Sequence, residues 1–319
     1  MTTDSRQPRR AEAGRLADVT TLEVAPRRAA TLTLLAAAVT VLLWASAFVA
    51  IRHVGHELSA GPLALGRLVV ASLVLGVVVL VRRAPGAARG AGWPRGRAWV
   101  RVVVCGVAWF GVYNVALNAA ERRVDAGTAA MLVNVGPILV AVLAGLLLRE
   151  GFPRALFVGS VVAFAGVVVI GLATSSGGGA DVTGVLLCLL SAVGYAVGVV
   201  AQKPLLATVS ALRVTWLAAT VAAIGCLPYT PALVRELAAA GPDAALWMVY
   251  LGLGPTAIAF TTWAYALART SAGRAGTTTY LVPPLAILLG WLLLAESPVP
   301  LAFAGGAICL FGVYLSRRP

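Results

Sequence analysis

The chain repeats itself: the stretch from Ala126-Gly127 to Glu150 returns 146 positions later as Ala272-Gly273 to Glu296, without a gap. Pro137 falls on Pro283 (283 − 137 = 146), Leu139 on Leu285, and Leu146-Leu147-Leu148 on Leu292-Leu293-Leu294. Farther on, Phe157, Gly159, Gly166 and Val167 fall on Phe303, Gly305, Gly312 and Val313. The first segments of each half match more weakly at an offset of 151, which pairs Trp44 with Tyr195, Arg52 with Lys203 and Ser59-Ala60 with Ser210-Ala211. A repeat of this length constrains the fold before any single motif does.

Both copies are apolar enough for a bilayer. The chain is 60% hydrophobic and 12% charged with mean hydropathy +0.91, against about 45–50% apolar for a soluble domain. Crossing the hydrocarbon takes roughly 20 apolar residues as a helix, and ten such runs are expected at 31–51, 61–81, 99–120, 126–148, 155–174, 184–203, 211–229, 245–267, 275–295 and 299–316. Lipid offers no partner to an open strand edge, so these runs predict an all-α integral membrane protein. Its connections are short and Gly/Pro-rich, as at Pro94, Gly177-Gly178-Gly179 and Gly241-Pro242.

The formal charge of +13 would suggest nucleic acid in a soluble protein, but its distribution points to membrane topology. With the N-terminus cytoplasmic, only Arg52, Arg67, Arg122, Arg123 and Arg235 fall outside or within spans, leaving 20 of the 25 Lys and Arg inside (25 − 5 = 20). This is the positive-inside pattern, and it predicts a multi-pass protein of the bacterial plasma (inner) membrane with both termini cytoplasmic. Three parts are expected: a disordered basic N-terminus over 1–29 and five-helix repeats over 30–175 and 183–316. Five is odd, so the second repeat enters the membrane from the opposite side and the two halves are inverted, the arrangement alternating access exploits.

Trp44-Ala45-Ser46-Ala47-Phe48, the Pro62 to Arg67 opening of the second span, and the two segments from Pro137 to Glu150 and from Pro283 to Glu296 resemble the EamA-type transporters of the drug/metabolite transporter superfamily. The resemblance covers roughly residues 31–316. It implies export of small metabolites, amino acids or drugs through a cavity lined mainly by spans one, three, four, six, eight and nine. A carrier of nucleotide sugars or phosphorylated metabolites is the alternative within transport.

Candidate cavity residues follow from polarity and symmetry. Pro137, Pro283 and Pro284 lie near the middle of apolar runs, where each is expected to kink the helix and free the carbonyls of Val133, Thr279 and Tyr280. Asn134 and Tyr280 are repeat mates at those kinks (280 − 134 = 146), and Trp44 and Tyr195 are mates at mid-membrane. Asn114 and Asn118 sit four apart on one helix face, and amides at this depth favour the protein interior. Trp263 is a further candidate in the second half. Arg67 is costly within a span, at about 2.5–3.5 kcal/mol; it could snorkel, bond carbonyls of span one or meet a substrate carboxylate, and because the family's cavity helices omit span two one of the two structural roles is expected.

Coupling chemistry is sparse, since none of the 12 acidic residues falls mid-span and Glu121, Asp125, Glu150 and Glu296 lie at span ends. The sequence contains no H-E-x-x-H, G-x-S-x-G or Walker A pattern and no paired magnesium-binding Asp motif, so an integral-membrane enzyme is the weaker class. Cys105, Cys188, Cys226 and Cys309 lack metal-ligand spacing and read as small core residues. No cofactor, metal or nucleic acid is expected. The expected partners are a small-molecule substrate and the lipid bilayer, with the protein a monomer or homodimer.

Overall fold

The computed structural model describes residues 7–81, 92–124, 129, 132–174, 181–294 and 300–318. The regular structure among them is helical throughout. Among the described residues, seven helices are long and apolar enough to cross a membrane and three shorter ones are apolar. In chain order they are α1 (Gln7–Val54), α2 (Ala60–Val81), α3 (Arg97–Ala120), α4 (Gly136–Leu147), α5 (Arg154–Thr174), α6 (Val182–Leu205), α7 (Ala211–Gly225), α8 (Leu227–Leu267), α9 (Ala272–Leu293) and α10 (Pro300–Ser316). Each of the ten expected runs has one of these at its centre. The expectations placed on Asp125, Ala126-Gly127, Gly177 to Gly179 and Glu296 lie outside the described residues.

Several boundaries differ from expectation. Helix α1 continues back to Gln7 through the basic segment for which disorder was expected; the Ala, Arg, Glu and Leu of that segment are good helix formers. Residues 227–244, expected to be span end and connection, form a 3-10 turn at Leu227–Tyr229 and most of a helix, interrupted at Gly241 (φ 80°) before Pro242. Glu236 on that added stretch accepts hydrogen bonds from the Ser59 backbone N–H (2.8 Å) and hydroxyl (2.7 Å), and so caps the start of α2. The prolines also act differently from simple kinks. Pro137 lies in the first turn of α4 after a turn at Asn134-Val135, and Pro283 and Pro284 open a new helical stretch after a 3-10 turn at Thr279–Leu281. A proline in a first turn removes no bond that would otherwise form, so both sites are helix breaks.

The repeat extends further in space than in sequence. Helix α3 carries a π-helical stretch at Gly106–Val112, and α8 carries one at Gly252–Ile258, offset by the same 146 (252 − 106 = 146). Contacts across the two halves come in reciprocal pairs. A Cβ on Gly106 would meet Ala218 O at 2.8 Å, and one on its mate Gly252 would meet Arg67 O at 2.9 Å, with Ala218 the mate of Arg67 (218 − 67 = 151). Between α5 and α10, a Cβ on Gly166 would meet the Cys309 backbone nitrogen at 2.6 Å, while one on its mate Gly312 would run into that of Ala163, the mate of Cys309. Gly159 and Gly305 repeat the pattern against Ser316 and its mate Ile170. Small residues let two backbones approach this closely, which in a membrane drives helix association. The four cysteines are free and buried.

Candidate functional site

A cavity of about 80 Å³ sits where the halves meet. The breaks and π-turns position its walls. Val133, Asn134 and Pro137 come from the break before α4, and Thr279 and Val282 from the matching break in α9. Trp109, Tyr113 and Asn114 come from the π-turn of α3 and the residues after it; Phe260 follows the π-turn of α8. A π-turn shifts the hydrogen-bond register and is frequent at functional sites. Here Asn114 Nδ2 answers that shift by donating to Phe110 O at 2.8 Å and Trp109 O at 3.4 Å, which leaves its Oδ1 as an acceptor.

Aromatic rings form one end of the cavity. Trp44 lies 5.3 Å from Phe260 and 5.2 Å from Trp263, and Trp109 lies 4.8 Å from Phe260 and 5.3 Å from Tyr195, centroid to centroid. The symmetry reaches these contacts too. Trp44 donates from Nε1 to Pro255 O at 3.2 Å, while its mate Tyr195 packs on Trp109, the mate of Pro255. Polar groups are not shared equally between halves: Asn114 and Asn134 have Phe260 and Tyr280 as mates, and Arg67 has Ala218.

The structure brings together Trp44, Asn114, Asn134, Tyr195 and Pro137 on this one cavity. It sets the other candidates apart. Asn118 donates to Ala60 O at 3.3 Å and lines an adjoining, wider cavity with Arg52, His56, Glu121 and Arg122. Trp263 stands behind Trp44 as a packing partner. Tyr280 is fully buried among Ala163, Val167, Ile170, Cys309 and Val313, on the α5–α10 side, and the preceding residue Thr279 reaches the cavity instead. Pro283 and Pro284 shape the break without lining the cavity. Trp109 and Phe260 were missed because a lone aromatic in an apolar run carries no signal; the glycines Gly106 and Gly252, at the repeat offset, could have marked both π-turns.

Arg67 departs most from expectation. It is 4% exposed, lies on the cavity wall, and donates from Nε to Thr256 Oγ1 at 2.9 Å, so it neither snorkels nor bonds α1. Thr256 is fixed in turn by donating to Leu251 O at 2.7 Å across the second π-turn.

Glu121, directly after α3, faces Arg52, Arg122 and His56 across the adjoining cavity. Its Oε1 is sealed from solvent with no hydrogen-bond partner, and burial pushes the carboxyl up from 4.5 to about 7 against the opposing effects of Arg52 and Arg67. A carboxyl raised on folding contributes stability below its unfolded value and loses it as pH rises through its folded value. The folded protein is therefore expected to lose about 3–6 °C of Tm between pH 4.5 and 7 from this group. Glu121→Gln should flatten that slope in a detergent melt, and an unchanged slope would place the dependence elsewhere.

A separate pocket is bordered by Glu150, Lys203 and the residues between α8 and α9. Glu150, after α4, accepts from Ala272 N–H (2.7 and 3.0 Å to its two oxygens) and Gly273 N–H (3.4 Å), capping the N-terminus of α9. Lys203 at the end of α6 donates to Leu267 O at 2.6 Å and to Thr270 O, so it ties α6 to the α8–α9 connection. Glu150 thus joins the first half to the second.

Known proteins share this arrangement. The chain matches the EamA-like transporter family over residues 31–172 and 182–318. It is 38% identical over 282 residues to a probable terminal-alkyne amino-acid exporter of Streptantibioticus cattleyicolor, covering 88% of this chain and 91% of that protein. It is 31% identical to the uncharacterized transporter YdfC of Bacillus subtilis (85% and 86% covered) and 23% identical to a probable amino-acid metabolite efflux pump of Salmonella typhimurium (65% and 72%). A solved crystal structure at 23% identity superposes with TM-score 0.73 over 90% of this chain and 96% of that one, a likeness of fold. The reciprocal halves, the cavity between them and these matches have one reading: the chain belongs to the EamA-like transporter family.

Proposed function

We propose that this transporter exports small amino acids or related metabolites from a bacterial cytoplasm by alternating access, as ten membrane-spanning helices in two inverted five-helix repeats. The observation that carries the reading is the set of reciprocal contacts, at Gly106/Gly252, Gly166/Gly312 and Trp44/Tyr195, around a shared cavity. Halves related in this way exchange conformations by rocking about the interface, opening the site first to one side and then to the other. The Arg and Lys distribution supports cytoplasmic termini, with the Glu150–Ala272 end inside and the Glu121 end outside.

The 38%-identical relative is named for amino acids with a terminal alkyne, an apolar group. A cavity ending in Trp44, Trp109 and Phe260 suits such a group. A phosphorylated cargo fits less well, since Arg67 is the cation among the described residues lining this cavity. The test is counterflow in liposomes: purified protein with L-propargylglycine inside should drive saturable uptake of labelled L-norvaline. Exchange of a nucleotide sugar without any exchange of norvaline would transfer the assignment to the phosphorylated-metabolite carrier. Turnover of a cargo into a new compound would indicate an enzyme.

A further inference from the structure

We propose that Arg67 is the carboxylate-binding residue of the central cavity, so that the cargo is a small carboxylic acid held head-first against α2 with its apolar tail toward the aromatic end. The proposal rests on the exporter reading of the same cavity and adds the chemical group by which the cargo is selected.

A guanidinium carries five N–H donors in a planar fork. Among the described residues Arg67 uses one, on Thr256, and its remaining donors belong to a side chain that is 4% exposed and on the cavity wall. A cation placed this deep costs about 2.5–3.5 kcal/mol on insertion scales. Among the described residues its hydrogen bond goes to Thr256, and Glu121 offsets part of that cost through its charge without forming a salt bridge with it, so the fork is left for another anion. The fork matches a carboxylate, which it can bind through two parallel charge-assisted bonds.

Orientation is fixed from the second half. The Thr256 hydroxyl accepts from Nε and donates to Leu251 O, so the π-turn of α8 holds one edge of the guanidinium and leaves the other for an anion. Because the mate of Arg67 is Ala218, the opposite wall lacks a matching cation, which suits a singly charged group better than a phosphate. Asn114 Oδ1 remains as an acceptor for an ammonium group, consistent with an amino acid. In the adjoining cavity Arg52 and Arg122 outnumber the one acidic residue, Glu121, so the approach carries a net positive charge like the site.

The test is binding in detergent, read by quenching of tryptophan fluorescence and independent of transport. The probes are L-norvaline, its methyl ester, and the phosphonate analogue 1-aminobutylphosphonate. Wild type should bind norvaline about tenfold or more tightly than the ester, the scale of a charge-assisted bond. Arg67→Gln should erase that preference while ester affinity and Tm stay near wild type, and Arg67→Lys should restore it in part. Thr256→Val leaves the cation in place and should weaken norvaline binding alone, which keeps the proposal testable if Arg67→Gln does not fold. Equal binding of acid and ester by wild type, equal loss of both in Arg67→Gln, or preference for the phosphonate would each overturn it. Norvaline binding with the predicted preference but no counterflow would sink the exporter reading and leave the carboxylate site standing.

Discussion

Gly312→Leu is expected to abolish recovery of folded protein. A Cβ at position 312 would run into the Ala163 backbone nitrogen and lie 2.6 Å from its Cα, contacts that no rotamer change relieves because the obstruction is backbone. Helices α5 and α10 must then separate, and with them the join between the halves. Overpacking that flexible side chains can absorb costs about 1–3 kcal/mol; a wedge between two backbones belongs to the class beyond about 4 kcal/mol. That is comparable with the whole stability of a marginal fold. Gly312→Ala already carries the offending Cβ and should lower Tm by several degrees, as should Gly166→Ala on the reciprocal contact, where Cys309 N lies at 2.6 Å. Phe311→Ala, one residue away and 56% exposed, should change Tm little. Size-exclusion of detergent extracts reads all four, and a monodisperse Gly312→Leu peak with wild-type Tm would mean that the helices do not pack this way.

The same glycines show why the fold was legible. Gly159, Gly166, Gly305 and Gly312 recur at one offset, so sequence alone exposed the repeat, and the structure adds that each copy packs on the other. Hydropathy located the ten apolar runs because lipid and protein core both demand apolar residues. It did not reveal how they are interrupted, since a proline in a first turn and a proline in a kink look alike in sequence. The site was legible where a polar residue had to be explained. Asn114 and Asn134 stood out in apolar surroundings, and the structure sets both on the cavity. Tyr280 looked equivalent to its mate Asn134, yet a phenol is large enough to fill the α5–α10 core, so symmetry of position did not give symmetry of environment. Arg67 was misjudged because its partner, Thr256, lies 189 residues away on a π-turn that sequence does not announce.

Glu150→Ala should loosen the contact between the end of α4 and the start of α9, the second large effect. In the alternating-access reading this contact must open once per cycle, and Glu150 holds it by accepting from Ala272 and Gly273 at the start of α9. Those bonds involve a charged acceptor at a helix N-terminus, together worth about 2–3 kcal/mol, which shifts a two-state equilibrium roughly 30- to 150-fold. A cysteine at Ala144, now 1% exposed on the core side of this contact, should react with a maleimide at a correspondingly higher rate in Glu150→Ala. The four native cysteines are buried and should give a low background. Counterflow should fall at least tenfold, because a contact that no longer closes cannot hold a gradient-driven cycle. Glu150→Gln keeps one acceptor oxygen and should lie between the two. Lys203→Met tests the same latch independently, since it removes the donors to Leu267 O and Thr270 O without touching the α9 cap. Should Glu150→Ala label and transport like wild type while lowering only Tm, Glu150 would be a helix cap and the closing contact would lie with Lys203.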